Sequence, residues 1–176
     1  MARSSESLLD DALAVLRQGQ VLTLDAVARQ AGMTKPGVVH HFPTKEALSM
    51  AVVDHVVDRW EAELNRRIDP GADALGRLRA YVHWTLTGDF DPSDLAMLAD
   101  ARLRDRLRSQ WVARLDPWFG TGIEGPAPQR AAYQAARLLA DGAWINQCLG
   151  VVTLDHDERQ SLLDLALGLI DQGTRA

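Results

Sequence analysis

The chain is short of several things, and each shortage closes off a class of function. A single cysteine, Cys148, leaves no disulfide framework and no cysteine-rich zinc site. No apolar run approaches the roughly 18 residues that mark a membrane-spanning helix. The stretch Met1–Asp10 is polar and acidic and lacks the basic-then-apolar layout of a secretory signal, so a cytoplasmic protein is expected. GxGxxG, P-loop, HExxH and GxSxG motifs are all missing. Neither an enzyme nor a cofactor is expected. Asp155, Asp157 and Glu158 beside His156 carry metal-ligating atoms, but Asp155 with Glu158 three residues on reads better as a helix start. No metal is expected.

What the chain does have is ordinary globular composition, 47% apolar and 24% charged over 176 residues. That length can bury a core without staples. The net charge of −5 is unevenly placed. Residues 1–50 are balanced, and the deficit lies wholly in the remainder. Ala26–Lys45 holds Arg29, Lys35, His40, His41 and Lys45 without one acid, and it contains both of the lysines in the chain. A small basic face on an acidic protein suggests a localised polyanion contact; a solvated charge cluster is the plainer reading.

The patterning is helical nearly throughout, and no segment alternates as a strand would. Leu8, Leu9, Ala12, Val15 and Leu16 give Ser4–Gln18 an amphipathic helical spacing that Gly19 stops. Thr23 caps a short second helix that Gly32 ends. Thr34 caps a third, with Pro36 in its first turn, and Thr44 caps a long fourth helix through Arg67. Asp69–Pro70–Gly71 is the clearest break. Beyond it, helical segments are expected near 72–88, 93–100, 102–118, 128–149 and 156–172. The expectation is an all-α protein with an N-terminal three-helix helix-turn-helix head, a connecting fourth helix (44–67) and a C-terminal helical body. The domain boundary is placed between residues 1–50 and 51–176.

Two short helices joined through Gly32 and packed on a preceding helix form the layout of a DNA-reading head. Residues 23–48 read TLDAVARQAGMTKPGVVHHFPTKEAL. This stretch resembles the DNA-binding signature of the TetR (tetracycline-repressor-like) family, with nearly every fixed position met, and the likeness extends loosely over Ser4–Arg67. The family usually carries a tyrosine shortly before its His-Phe pair, where the hydroxyl reaches a phosphate. This chain has Val39 and His40 there, and only His40 can take over such a contact.

The resemblance implies a set of roles. Thr34, Lys35, Gly37 and His40 line the groove-facing side of the recognition helix, while Thr23, His41, Thr44 and Lys45 contact phosphates. The three threonines are also plain helix caps, and His41 is equally readable as a packed, hydrogen-bonded residue. The resemblance further implies a homodimer on double-stranded DNA, with a palindromic operator, and a body that holds an unknown small-molecule effector. His83, Trp84, Trp111, Trp118, Trp144 and Asn146 are the candidates to line that pocket, with ordinary core packing as their alternative. Leu138, Ile145, Leu162, Leu165 and Leu169 are the candidates for the dimer interface on the last two helices. The leading functional reading is a repressor released from its operator by an effector. An effector-independent DNA-binding dimer is the alternative, and a helical enzyme or carrier with a vestigial head is the remoter one.

Overall fold

A computed structural model of the chain describes residues 4–175, so the first three residues of the polar N-terminal stretch lie outside it. The described residues form an all-α protein with eight α-helices and no strand. The helices are α1 (Ser5–Arg17), α2 (Leu24–Ala31), α3 (Lys35–His41), α4 (Lys45–Asn65), α5 (Ala74–Thr87), α6 (Arg104–Leu115), α7 (Ala127–Leu149) and α8 (His156–Arg175). The expected helix at 93–100 is instead a 3₁₀ segment, Pro92–Leu98, broken at Leu95. Asp91 opens it with a capping box in which Asp94 returns the bond to the Asp91 N–H. Helix α4 stops at Asn65 rather than Arg67: the Arg67 N–H turns back to the Leu64 carbonyl in a tighter i−3 turn, and the Arg67 guanidinium donates to the freed Glu63 carbonyl at 2.6 Å.

The chain divides into two compact units. One comprises the residues up to Arg59 with Asp91–Ala113, and the other comprises Trp60–Phe90 with the residues from Arg114 onward. The sequence boundary at residue 50 therefore falls inside α4, and residues 91–113 pack with the head rather than with the body. Local contacts explain the difference. Arg17 on α1 donates to Asp91 at 2.7 Å, and Gln110 on α6 donates to the Met50 carbonyl on α4 at 3.1 Å. Ala96, Met97, Leu107 and Trp111 are buried in this unit.

In the first unit α1 packs on α2, and α2 on α3. Leu8, Leu13, Val27, Val38 and Val52 are fully or almost fully buried. Gly32 adopts the left-handed conformation, φ 64°, which ends α2 and allows the abrupt turn into α3.

The second unit is built on α5, α7 and α8. Leu78, Val82, Leu86, Tyr133, Ala136, Ala140, Leu163, Ala166 and Ile170 form its core. Helices α7 and α8 approach closely enough that a Cβ at Gly173 would stand 2.8 Å from the Tyr133 ring. A larger residue there would force them apart.

A polar group is embedded beside this core. The Tyr81 hydroxyl donates to Asp141 at 2.6 Å, and Arg137 lies 3.3 Å from the other carboxylate oxygen with its guanidinium 3.9 Å over the Phe119 ring. Burial pushes the Asp141 carboxyl above the usual range, outweighing the Tyr81 hydrogen bond and Arg137. Folded Asp141 thus holds its proton more tightly than unfolded Asp141. Its contribution to stability must fall as pH rises from about 4 to the folded value, and stay flat above it. Tyr81→Phe removes the donor that favours the carboxylate, so the decline should deepen and reach to higher pH. Urea unfolding across that range checks this against Asp141→Asn, which should lose the slope. Identical pH profiles for all three proteins would overturn it.

Candidate nucleic-acid interface

The head presents α3 by burying one side of it. Val38 and Phe42 anchor the helix in the core, while Thr34, Lys35 and His40 are exposed and Gly37 is half-buried. The apolar positions one turn apart produce this face, since i and i+4 share a side of a helix.

Capping treats the three threonines differently. Thr23 accepts from the Ala26 N–H and Thr44 from the Ala47 N–H, both at 3.0 Å. Thr34 occupies the cap position of α3 but accepts no capping bond, which corrects the sequence expectation. Pro36 removes one of the two N–H groups that a cap can use, and the remaining Gly37 N–H makes no bond to the Thr34 hydroxyl, which is therefore not committed to its own helix.

Both lysines are ion-paired within this unit. Lys35 meets Asp25 of α2 at 2.9 Å, with both side chains more than half exposed. Such a surface pair contributes at most about 1 kcal/mol, so a phosphate can displace it. Lys45 meets Asp100 at 2.6 Å, and the Asp100 side chain is only 9% exposed. That hydrogen bond, helped by the Arg102 N–H at 2.9 Å, holds the Asp100 carboxyl below the usual carboxylate range. No local sequence signal announces a partner 55 positions away.

The histidines also separate. His40 is exposed, and its ring stands edge-on to His41 at 5.6 Å. His41 is half-buried, and its Nδ1 lies 3.0 Å from the Ser5 hydroxyl, tying the end of α3 to α1. Gly37 lies under Met33, whose Cε methyl would be 3.0 Å from an added Cβ. A side chain there would have to displace that flexible end.

This arrangement offers an exposed helix face and, at the start of α4, a capped helix end carrying a lysine. A family model described as bacterial regulatory proteins, tetR family, matches residues 8–52. A second, described as tetracyclin repressor-like, C-terminal domain, matches residues 75–171.

The chain belongs to the TetR family.

This TetR-family protein is a DNA-binding transcriptional regulator of the helix-turn-helix type. It is 30% identical over 166 residues to the HTH-type transcriptional regulator BetI of Burkholderia ambifaria strain MC40-6, which covers 85% of this chain and 81% of that protein. The BetI of Paraburkholderia phytofirmans is 32% identical over 143 residues, 72% of this chain and 71% of the relative. The nucleoid occlusion factor SlmA of Vibrio campbellii is 26% identical over 94 residues, about half of each chain. Regulators of this family bind DNA and act as dimers. No helix among the described residues is long and apolar enough to cross a membrane.

The six residues expected around an effector have different surroundings within their own units. Trp111 belongs to the same unit as the head. His83 is exposed on α5, and Asn146 donates to the Gly142 carbonyl of its own helix at 2.6 Å. Trp84 and Trp144 pack against Trp60, with ring centroids 4.4 and 4.9 Å from it, and Phe90 joins at 5.3 Å. Close packing of these rings fills the space that a ligand would need. Trp118 lines an open cleft, about 350 Å³, with Asn65, Ile68, Arg77 and Pro117 among its neighbours.

The five interface candidates fall on one pair of packed helices. Leu138 is 67%, Leu165 56% and Ile145 39% exposed. Leu162 and Leu169 are half-buried against the core. Leu138, Ile145 and Leu149 share one face of α7, and Leu162, Leu165 and Leu169 follow similar spacing on α8.

Proposed function

We propose that this regulator is a repressor that binds a palindromic operator as a homodimer and is released from it by a small-molecule effector. The exposed apolar stripe of α7 and α8 is the observation that carries the dimer, since clustered exposed apolar surface of this kind marks an association site. Two copies would set their recognition helices about 34 Å apart, one turn of DNA. Thr34, Lys35, Gly37 and His40 would face bases, with Thr23, His41, Thr44 and Lys45 on phosphates. The 350 Å³ cleft beside Trp118 supports an effector site of small-molecule size. The closed Trp60–Trp84–Trp144 cluster favours the second reading, a DNA-binding dimer that needs no effector.

The test is a DNA-binding titration on fragments selected from genomic DNA, repeated with a panel of small aromatic and aliphatic compounds. Release of the fragment by one compound, with quenching of tryptophan fluorescence, supports the switch. Compounds that bind tightly and leave DNA affinity unchanged would remove it.

Lys35 and Lys45 should fail differently in that assay. Lys45→Ala leaves Asp100 unpaired at the phosphate-facing end of α4. It should weaken selected and random duplexes alike and lower the salt slope by about 1. Lys35→Ala should additionally relax sequence preference. Equal losses on selected and random DNA for Lys35→Ala would show that Lys35 does not read bases.

A further inference from the structure

Four arginines, Arg102, Arg104, Arg106 and Arg108, crowd the start of α6 and are all exposed. They pack with the head although they lie far from it in sequence. Three contacts fix how. Asp100 holds Lys45, Arg106 pairs with Glu46, and Gln110 bonds to the Met50 carbonyl one helical turn further along. Partners 46 with 106 and 50 with 110 keep the same offset, so α6 runs parallel to α4 and in step with it. The start of α6 therefore stands level with the start of α4. Arg102 and Lys45 line the same open cleft, about 440 Å³, together with Val21 and Glu46.

The charges at this end do not cancel. Lys45 is matched by Asp100, Arg106 by Glu46 and, at 4.0 Å, Arg108 by Asp105. Arg102 and Arg104 face no carboxylate among the described residues; Arg102 is engaged only through its backbone N–H. The surplus positive charge therefore sits beside the lysine that begins α4, on the side that the head would turn toward a duplex.

We propose that Arg102 and Arg104 form an added DNA-backbone contact, extending the phosphate footprint of the helix-turn-helix beyond α4. The inference rests on the DNA-binding role of the head. Guanidinium groups that grip phosphates carry no sequence information, so this surface supplies affinity and orientation rather than specificity.

The experiment is a salt titration of the full chain on a mixed-sequence duplex of about three helical turns and on selected genomic fragments. The proteins are wild type, Arg102→Ala/Arg104→Ala, the matching double lysine variant, and Arg130→Ala as a single-cation loss in the other unit. Removing two phosphate contacts should reduce the salt slope by about 2, with similar fold losses on both duplexes. The lysine variant should keep most of the slope, since a phosphate accepts any cation, and Arg130→Ala should keep all of it. An unchanged slope in the alanine variant overturns the proposal, as does a loss confined to the selected fragments. A lysine variant as weak as the alanine one overturns it too, because that pattern belongs to a structural role. Wild type without affinity for either duplex would instead overturn the underlying DNA-binding role.

Discussion

Leu138→Asp or Leu165→Asp should convert the protein to a 19.4 kDa monomer and abolish most of its affinity for a selected DNA fragment. Both leucines are more than half exposed, so neither substitution removes core packing. Each places a charge in the stripe formed by α7 and α8. In a dimer that charge must be desolvated against apolar surface without a partner, and the association should fail rather than adapt. Loss of the second head then removes the multivalent gain, roughly 10²–10⁴-fold in apparent affinity. Leu98→Asp, at a similarly exposed leucine in the other unit, should leave the mass unchanged. Light scattering supplies the mass, and circular dichroism should show helix content like wild type. A wild-type monomer, or dimers that persist in both aspartate variants, would remove the interface.

The features that could be read in advance are the local ones. A cap needs only a hydroxyl or carboxylate and an N–H three residues away, so Thr23, Thr44 and the Asp155–Glu158 pair stood in the sequence as they stand in the fold. Gly32 needs only its positive φ. Thr34 shows the limit of that logic, because it stands at the cap position of α3 and yet accepts no bond from the Gly37 N–H three residues on. The exposed side of α3 was legible from the spacing of Val38 and Phe42. The pairing of Lys45 with Asp100 was not, because it depends on the segment 91–113 returning to the head. Nor was the packing of that segment legible, since amphipathic spacing says that a helix buries a face and not against what. The surroundings of the tryptophans were not legible for the same reason. Their residue type signals large buried area, which a closed cluster and a ligand cavity satisfy equally.

That closed cluster leads to the largest expected loss of stability. Trp60, on the C-terminal part of α4, is 1% exposed and touches Tyr81, Trp84, Phe90 and Trp144. Trp60→Ala removes the ring at the centre of these contacts, and the four neighbouring aromatic rings cannot close the gap without leaving their rotamers. Buried tryptophan truncations cost about 3–5 kcal/mol, which for a chain of this size lowers Tm by roughly 6–20 °C. Trp60→Phe keeps an aromatic ring and should lose about half as much or less. The cavity also gives the prediction a second readout. Apolar voids of this kind stay dry and accept small aromatic molecules, so indole should raise the Tm of Trp60→Ala in proportion to its occupancy and leave wild type unmoved. Thermal unfolding followed by circular dichroism measures both effects. A small Tm loss in Trp60→Ala would mean that the cluster collapses onto the vacancy. Equal shifts with indole in both proteins would mean that wild type already contains a site for a flat aromatic ligand, and the effector reading would then gain the cavity that the packed rings deny it.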